Sequence, residues 1–183
     1  MSHLEHRREG PAAVALAIVT ASDTRGEAED ASGAWLRAAA QAAGHLVVSY
    51  AVVRDEPDAI RAALAQAVEA GAQAAVVNGG TGIAARDRTY EAVAGLLDKK
   101  LDGFGELFRA LSYEEIGSAA MMSRAVGGVW RGCALFSVPG STAAVRLAWE
   151  KLIAPELSHL VREIRKDTAA TLAGRPPAPR TRG

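Results

Sequence analysis

The residues best suited to chemistry in this chain lie between Asn78 and Thr89, in the run NGGTGIAARDRT. Gly79, Gly80 and Gly82 flank Thr81 and leave backbone N–H groups open to close approach. Where a strand gives way to a helix, such a loop binds anions. Asp87 follows shortly after. A carboxylate repels phosphate, so its place beside an anion-binding loop makes chemical sense when a divalent cation bridges the two, as Mg²⁺ does. Ser22 and Asp23 end one apolar run, and Asp55 ends another. Two better-known glycine motifs are excluded. A Walker A loop requires Gly-Lys-Ser/Thr, yet no lysine occurs between Met1 and Asp98, and GGTGIA does not supply the G-x-G-x-x-G dinucleotide fingerprint. A tight βα turn would account for GGTG taken by itself, and a turn before Glu56-Pro57 would account for Asp55.

The surrounding elements must bring these residues together. Ala13 to Thr20 is a near-continuous apolar run rich in β-branched residues, the pattern of a strand buried on both faces. Leu46 to Val53 makes a second strand and residues 73–77 a third. Each is followed by helical spacing: Trp35, Leu36, Ala39 and Ala40 after the first, then Ile60, Leu64, Ala67 and Val68, with Asp58 as the expected N-cap, then YEAVAGLLD. Repeated strand–helix alternation predicts a parallel sheet flanked by helices, with ligands beyond the carboxyl ends of the strands. Ser22-Asp23, Asp55 and GGTG all fall there.

Further along, Gly103 to Ile116 places Phe104, Leu107, Phe108 and Leu111 on one helical face, and Met121-Met122 read as gap-filling core. A hairpin across Arg131-Gly132 joins Val126–Trp130 to Ala134–Val138 and makes the sheet mixed. Pro139-Gly140-Ser141 opens a long amphipathic stretch that Pro155 must kink or split. Ser141 serves either as its cap or as part of a second phosphate cradle.

The 183 residues fit one domain, expected over 11–166, with loose termini at 1–10 and 167–183. Twenty-one basic residues balance 21 acidic ones, so bulk charge offers no reason to bind nucleic acid or an anionic membrane. A single cysteine, Cys133, fits a reducing cytoplasm and a buried structural thiol. The charged start MSHLEHRREG is not a signal peptide, and no 18-residue apolar run predicts a membrane span. Histidines 3, 6, 45 and 159 lack zinc-site spacing, and neither a Ser-His nor a Cys-His pair is evident.

GGTG followed after four residues by Asp-x-Thr resembles the GGTGxxxxDxT signature of the MoaB/MogA family of molybdenum cofactor biosynthesis proteins. TASDTRG…DASG (Thr20–Gly26, Asp30–Gly33), RDE (Arg54–Glu56), GFGELFRALSYEEIGSAAMMSRAVGGV and SVPGSTAAVRLAWEKLIAPEL extend the similarity over roughly residues 13 to 165. The resemblance implies a three-layer αβα sandwich that binds molybdopterin and, in active members, adenylylates it with Mg-ATP, releasing pyrophosphate. It implies that Asp55 and Asp87 act in catalysis through Mg²⁺, and that Gly79, Gly80, Thr81 and Gly82 hold the ligand. Ser22, Asp23, Asp30, Ser32, Gly33, Ser123, Pro139, Gly140 and Ser141 are expected to line the rest of the pocket. It also implies a trimer or hexamer, to which Phe104, Phe108, Tyr113 and Trp130 would contribute an aromatic surface, and a place among other proteins of the pathway. Asn78 stands where Thr or Ser is more usual, and Tyr90 replaces the proline common in MogA, which points to the MoaB branch. Some members of that branch bind without catalysing. A valine at Gly80 is expected to fill the phosphate space with only a modest loss of stability.

Overall fold

Continuous apolar runs become strands because a sheet covered on both faces gives every side chain a dry neighbour. In the computed structural model, which describes residues 13–173 with side chains to 166, those runs are β1 (Ala15–Ala21), β3 (Ala74–Asn78) and β6 (Cys133–Val138), and β2 (Leu46–Val53) joins them as an edge strand with Leu46 and Val48 exposed. These four are mutually parallel, and β5 (Val126–Trp130) and β4 (Lys99–Lys100) extend the sheet with antiparallel pairings, in the order β2-β1-β3-β6-β5-β4. The β5–β6 hairpin turns at Arg131 and Gly132, both at positive φ (49° and 75°), as a two-residue hairpin requires. The sheet is therefore mixed, as the sequence implies. The expectations for His3, His6, the arm at 1–10 and residues 174–183 of the tail lie outside the described residues, whereas residues 167–173, expected to be loose, continue the last helix (Ala154–Ala173).

Alternate residues of each strand feed two separate cores, which makes three layers. Leu16, Ile18, Val76 and Phe136 face α1 (Ala31–Ala42), α4 (Asp102–Ile116), α5 (Thr142–Ala148) and α6 (Ala154–Ala173). Val19, Ala75, Val77 and Leu135 face α2 (Pro57–Glu69) and α3 (Thr89–Ala94). Cys133 belongs to this second core, and burial pushes its thiol up to about 12. The break expected at Pro155 is present as a π turn, Trp149–Ile153, between α5 and α6, where widened hydrogen bonding precedes a residue with no N–H to offer.

Several local expectations are corrected. Pro57 opens α2 with Glu56 at the N-cap position, so Asp58 sits in the first turn and pairs with Arg61 at 3.4 Å instead of capping. Met121 and Met122 are exposed rather than core, on a 3₁₀ turn (Gly117–Met122) that carries them away from the sheet. Leu107 is likewise exposed, while Phe104, Phe108 and Ser112 form the buried face of α4.

Candidate functional site

Strand β1 lies between β2 and β3, with α1 on one face of the sheet and α2 on the other, so the chain changes direction at β1. Crevices at such points receive ligands in open α/β sheets. The turn after β3 is built for close approach: Gly79 and Gly80 adopt φ of 96° and 59°, the left-handed region that favours glycine. A Cβ on Gly79 would stand 2.2 Å from the Ala21 carbonyl oxygen, and one on Gly140 would stand 2.8 Å from the Gly79 Cα. Three turns, after β1, β3 and β6, thus meet backbone against backbone. They border a cleft of about 320 Å³. Gly79–Gly82 form one wall, Pro139 and Gly140 another, and Ser123 with Met122 closes it from the segment before β5. Because β5 runs antiparallel to β6, its start lies at the carboxyl ends of the parallel strands, which is how Ser123 reaches the site. Ser141 caps α5, its hydroxyl accepting from the Ala144 N–H at 3.2 Å.

The carboxylates lie against the same loop. Asp87 accepts the Ala84 N–H at 2.9 Å, and a Cβ on Gly82 would approach its Oδ2 to 2.5 Å. Asp55 is buried beneath Gly80, whose absent Cβ would stand 2.2 Å from both Asp55 Oδ2 and Thr89 Oγ1, and Thr89 donates to Asp55 at 2.9 Å. Burial raises the Asp55 pKa, its hydrogen bonds from Thr89 and the Arg88 backbone oppose this, and the charges of Asp87 and Asp23 push it further up. Asp23 is held by Arg86 at 2.8 and 3.1 Å, and that bond draws its carboxyl down. Arg86 also bonds Glu56 at 2.8 Å, and Asp23 accepts the Asp55 N–H at 3.2 Å, so the loops after β1, β2 and β3 are tied together.

Carboxylates whose charges act on one another are a setting that a cation relieves. Among the described residues no three His, Cys, Asp or Glu side chains converge as a complete metal cage. The donors instead fit Mg²⁺ bound by one or two carboxylates, with water and substrate phosphate completing its shell.

Asp30, Ser32 and Gly33, expected along the pocket, are buried with their polar groups taken by the protein. Asp30 caps α1 through the Gly33 N–H at 3.0 Å and accepts from Thr20 Oγ1 at 2.5 Å and Tyr50 Oη at 2.8 Å. Asn78 continues the network, donating to Thr20 Oγ1 at 2.8 Å and accepting from Ser32 Oγ at 2.9 Å. The side chain that departs from the family's usual Thr or Ser thus pins the root of the glycine loop to β1 and α1. Burial alone would raise the Asp30 pKa, but the hydrogen bonds from Thr20, Gly33, Tyr50 and Ser32 together outweigh it and leave it lowered. A lowered carboxylate contributes stability that is present above its unfolded pKa of about 3.9 and is lost as pH falls through the folded value. We expect Asp30→Ala to destabilise the protein by about 2–4 kcal/mol at pH 7, with less difference from wild type in strong acid. Urea unfolding across pH 2–7 measures both, and a constant difference across that range would refute the charge contribution.

Arg124 escaped the sequence reading. It donates to the Thr81 carbonyl at 2.9 Å and the Gly82 carbonyl at 2.6 Å, pairs with Glu91, and lies over the Tyr90 ring at 5.0 Å. It holds the loop carbonyls on one side; the Gly79 N–H is taken by the Val138 carbonyl at 3.2 Å, and the N–H groups of Gly80, Thr81 and Gly82 have no hydrogen-bond partner among the described residues. The only local signal was a basic residue beside Ser123. Arg25, on the far wall of the cleft, was missed as well.

The geometry defines an α/β domain with a glycine-walled cleft at a switch in sheet direction, with carboxylates packed behind the glycine loop. A family described as a "probable molybdopterin binding domain" matches residues 17–159. The chain is 52% identical over 169 residues to molybdenum cofactor biosynthesis protein B of Bacillus subtilis, covering 91% of this chain and 99% of the relative. Its Escherichia coli K12 counterpart is 46% identical over 148 residues, 80% of this chain and 87% of the relative. Among solved structures, a molybdenum cofactor biosynthesis protein B superimposes with a TM-score of 0.79 at 50% identity, covering 86% of this chain and 99% of that one. MogA does so with 0.74 at 29% identity, covering 82% and 99%. The chain belongs to the molybdopterin-binding domain family, among its MoaB and MogA members. No helix among the described residues is long and apolar enough to cross a membrane.

Proposed function

We propose that this protein adenylylates molybdopterin with Mg-ATP in molybdenum cofactor biosynthesis. The observation that carries this reading is the adjacency of Asp55 and Asp87 to a loop whose backbone is shaped for phosphate. In the reaction a phosphate oxygen of molybdopterin attacks the α-phosphorus of ATP, a P–O bond forms there, and the bond to the β-phosphate oxygen breaks with pyrophosphate leaving. Such transfers rest on positioning and charge neutralisation, with little covalent work for the protein. The N–H groups of Gly80–Gly82 and the hydroxyls of Thr81 and Ser123 would orient phosphate oxygens, while the Gly79 N–H ties the loop to the Val138 carbonyl at 3.2 Å. Asp87 and Asp55 would hold Mg²⁺, which would supply positive charge to the triphosphate. Arg124 keeps the loop in register and Arg86 keeps Asp23 from adding its full charge to the site.

A second reading, a pterin-binding or scaffold protein of the same pathway without catalysis, is favoured by one observation: the Asp55 carboxylate is buried and engaged by Thr89. Incubating the purified protein with molybdopterin and Mg-ATP separates the two. Adenylyl-molybdopterin is the expected product, and tight pterin binding with no product would favour the scaffold.

The family resemblance also leads us to expect a trimer or hexamer in solution. Phe104, Phe108 and Trp130 are buried in the protomer, which leaves Tyr113 alone of the four aromatics expected at an interface. Tyr113 borders an apolar groove with Ala110, Ala120 and exposed Met121, on α4 and the turn that continues it. An exposed apolar groove of this kind suits burial against another copy. Light scattering is expected to give a mass that is a multiple of three protomers, and a single 19.0 kDa protomer would refute the assembly.

A further inference from the structure

Of the side chains lining the 320 Å³ cleft among the described residues, only Arg25 is charged. The arginines around it are occupied. Arg86 is bound by Asp23 and Glu56, Arg124 by Glu91 and two loop carbonyls, and Arg54 lies 4.0 Å from Asp23. Arg25 has no ion-pair partner among the described residues.

Its position is set by the turn that carries it. Ser22 donates its N–H to the Val53 carbonyl at 2.8 Å, and its hydroxyl accepts the N–H groups of Thr24 and Arg25 at 3.3 and 3.1 Å. Asp23 is anchored by Arg86. The backbone is therefore fixed on both sides of Thr24, and the Arg25 side chain lines the cleft. A Cβ on Gly140 would stand 3.9 Å from one guanidinium nitrogen and 2.8 Å from the Gly79 Cα, so the fork lies over the junction of the two glycine turns.

The carboxylates lie outside the cleft lining, behind its glycine wall, and the positive charge lies within it. Asp55 and Asp87 pack against Gly80 and Gly82, where a divalent cation can accompany a triphosphate. Arg25 stands at the Gly79–Gly140 end, where an anion arriving without a metal finds a fixed positive charge. A guanidinium meets a phosphate through two parallel hydrogen bonds, which sets orientation as well as affinity. We propose that Arg25 anchors the metal-free phosphomonoester of the pterin substrate, and so holds its attacking oxygen in place. The assignment rests on the adenylylation site proposed above and names the group that distinguishes its two substrates.

The test is calorimetric titration of molybdopterin, and separately of inorganic phosphate, into wild type, Arg25→Gln and Arg25→Lys without Mg²⁺ or ATP. Arg25 is exposed and caps nothing, so both variants are expected to melt as wild type does. Arg25→Gln should weaken molybdopterin binding about tenfold to a hundredfold, and Arg25→Lys should recover part of the loss because it keeps the charge but not the fork. Phosphate should compete with molybdopterin in the wild type and lose that ability in Arg25→Gln. Equal molybdopterin binding by Arg25→Gln and wild type overturns the role of Arg25 and leaves the pterin reading standing. Wild type that binds phosphate through Arg25 but takes no molybdopterin overturns the pterin reading and, with it, the assignment of a pterin phosphate.

Discussion

Asp87→Asn is expected to lower adenylyl transfer by on the order of 10²–10³-fold while leaving the fold intact. The substitution keeps the shape and one acceptor oxygen, so the 2.9 Å bond from the Ala84 N–H survives and the Ala84–Asp87 turn stays closed. What it removes is the negative charge that would hold a cation beside the glycine loop. Thermal unfolding within about 0.5 kcal/mol of wild type, together with single-turnover rates at saturating Mg-ATP, separates the two effects. A wild-type rate would refute the metal role of Asp87. Asp55→Asn tests the neighbouring carboxylate differently. A carboxylate whose folded pKa is raised opposes folding as pH climbs from its unfolded to its folded value, because the native state there binds more protons. Its replacement by a neutral amide should therefore leave stability at pH 7 equal or higher while activity falls, the trade-off of a residue kept for function. If both aspartates serve one ion, the double variant should lose far less than the product of the single losses.

Gly80→Val is expected to abolish molybdopterin binding and to cost roughly 3–5 kcal/mol of stability, the sum of an unfavourable left-handed backbone and an overpacked site. The cost is larger than a loop glycine facing open solvent would carry. The direction of the missing Cβ explains why: it points not into the cleft but at Asp55 Oδ2 and Thr89 Oγ1, both 2.2 Å away and both buried. The binding loss should follow from displacing the loop and its carboxylate, rather than from filling the space of a phosphate. Gly103→Ala is the matched control, since a Cβ there meets nothing within 4 Å. Pterin titration with chemical denaturation measures both effects. Intact binding in Gly80→Val would make the loop a structural turn only, and an unchanged unfolding free energy would contradict the inward direction of its Cβ.

How much of the molecule was readable along the chain depended on the range of the interaction involved. The runs Ala13–Thr20 and Ala74–Val77 read as buried strands, and fold as Ala15–Ala21 and Ala74–Asn78, because burial on both faces imposes an apolar residue at almost every position, a purely local pattern. The hairpin at Arg131-Gly132 was legible for the same reason. Strand β4 was not: Lys99-Lys100 has no strand character of its own and is ordered by pairing with Gly128 and Val129. Met121 and Met122 misled because hydrophobicity reports what a side chain would gain from burial, not whether the chain leads it inward.

The sequence by itself determined the strand–helix alternation, the mixed sheet, the glycine loop and the candidate carboxylates, together with the family they belong to. Each is written in residues close to one another in the chain. Only the tertiary structure decided which side of the loop those residues serve. It buried Asp30 in a network with Thr20, Tyr50 and Asn78, set Asp55 under Gly80, brought Arg124 across from the start of β5 to hold the loop carbonyls, and placed Arg25 near Gly140 with no ion-pair partner among the described residues. The reason is physical. These contacts join residues tens of positions apart, and their geometry exists only once parallel pairing of β1, β2, β3 and β6 has fixed the register of the strand ends.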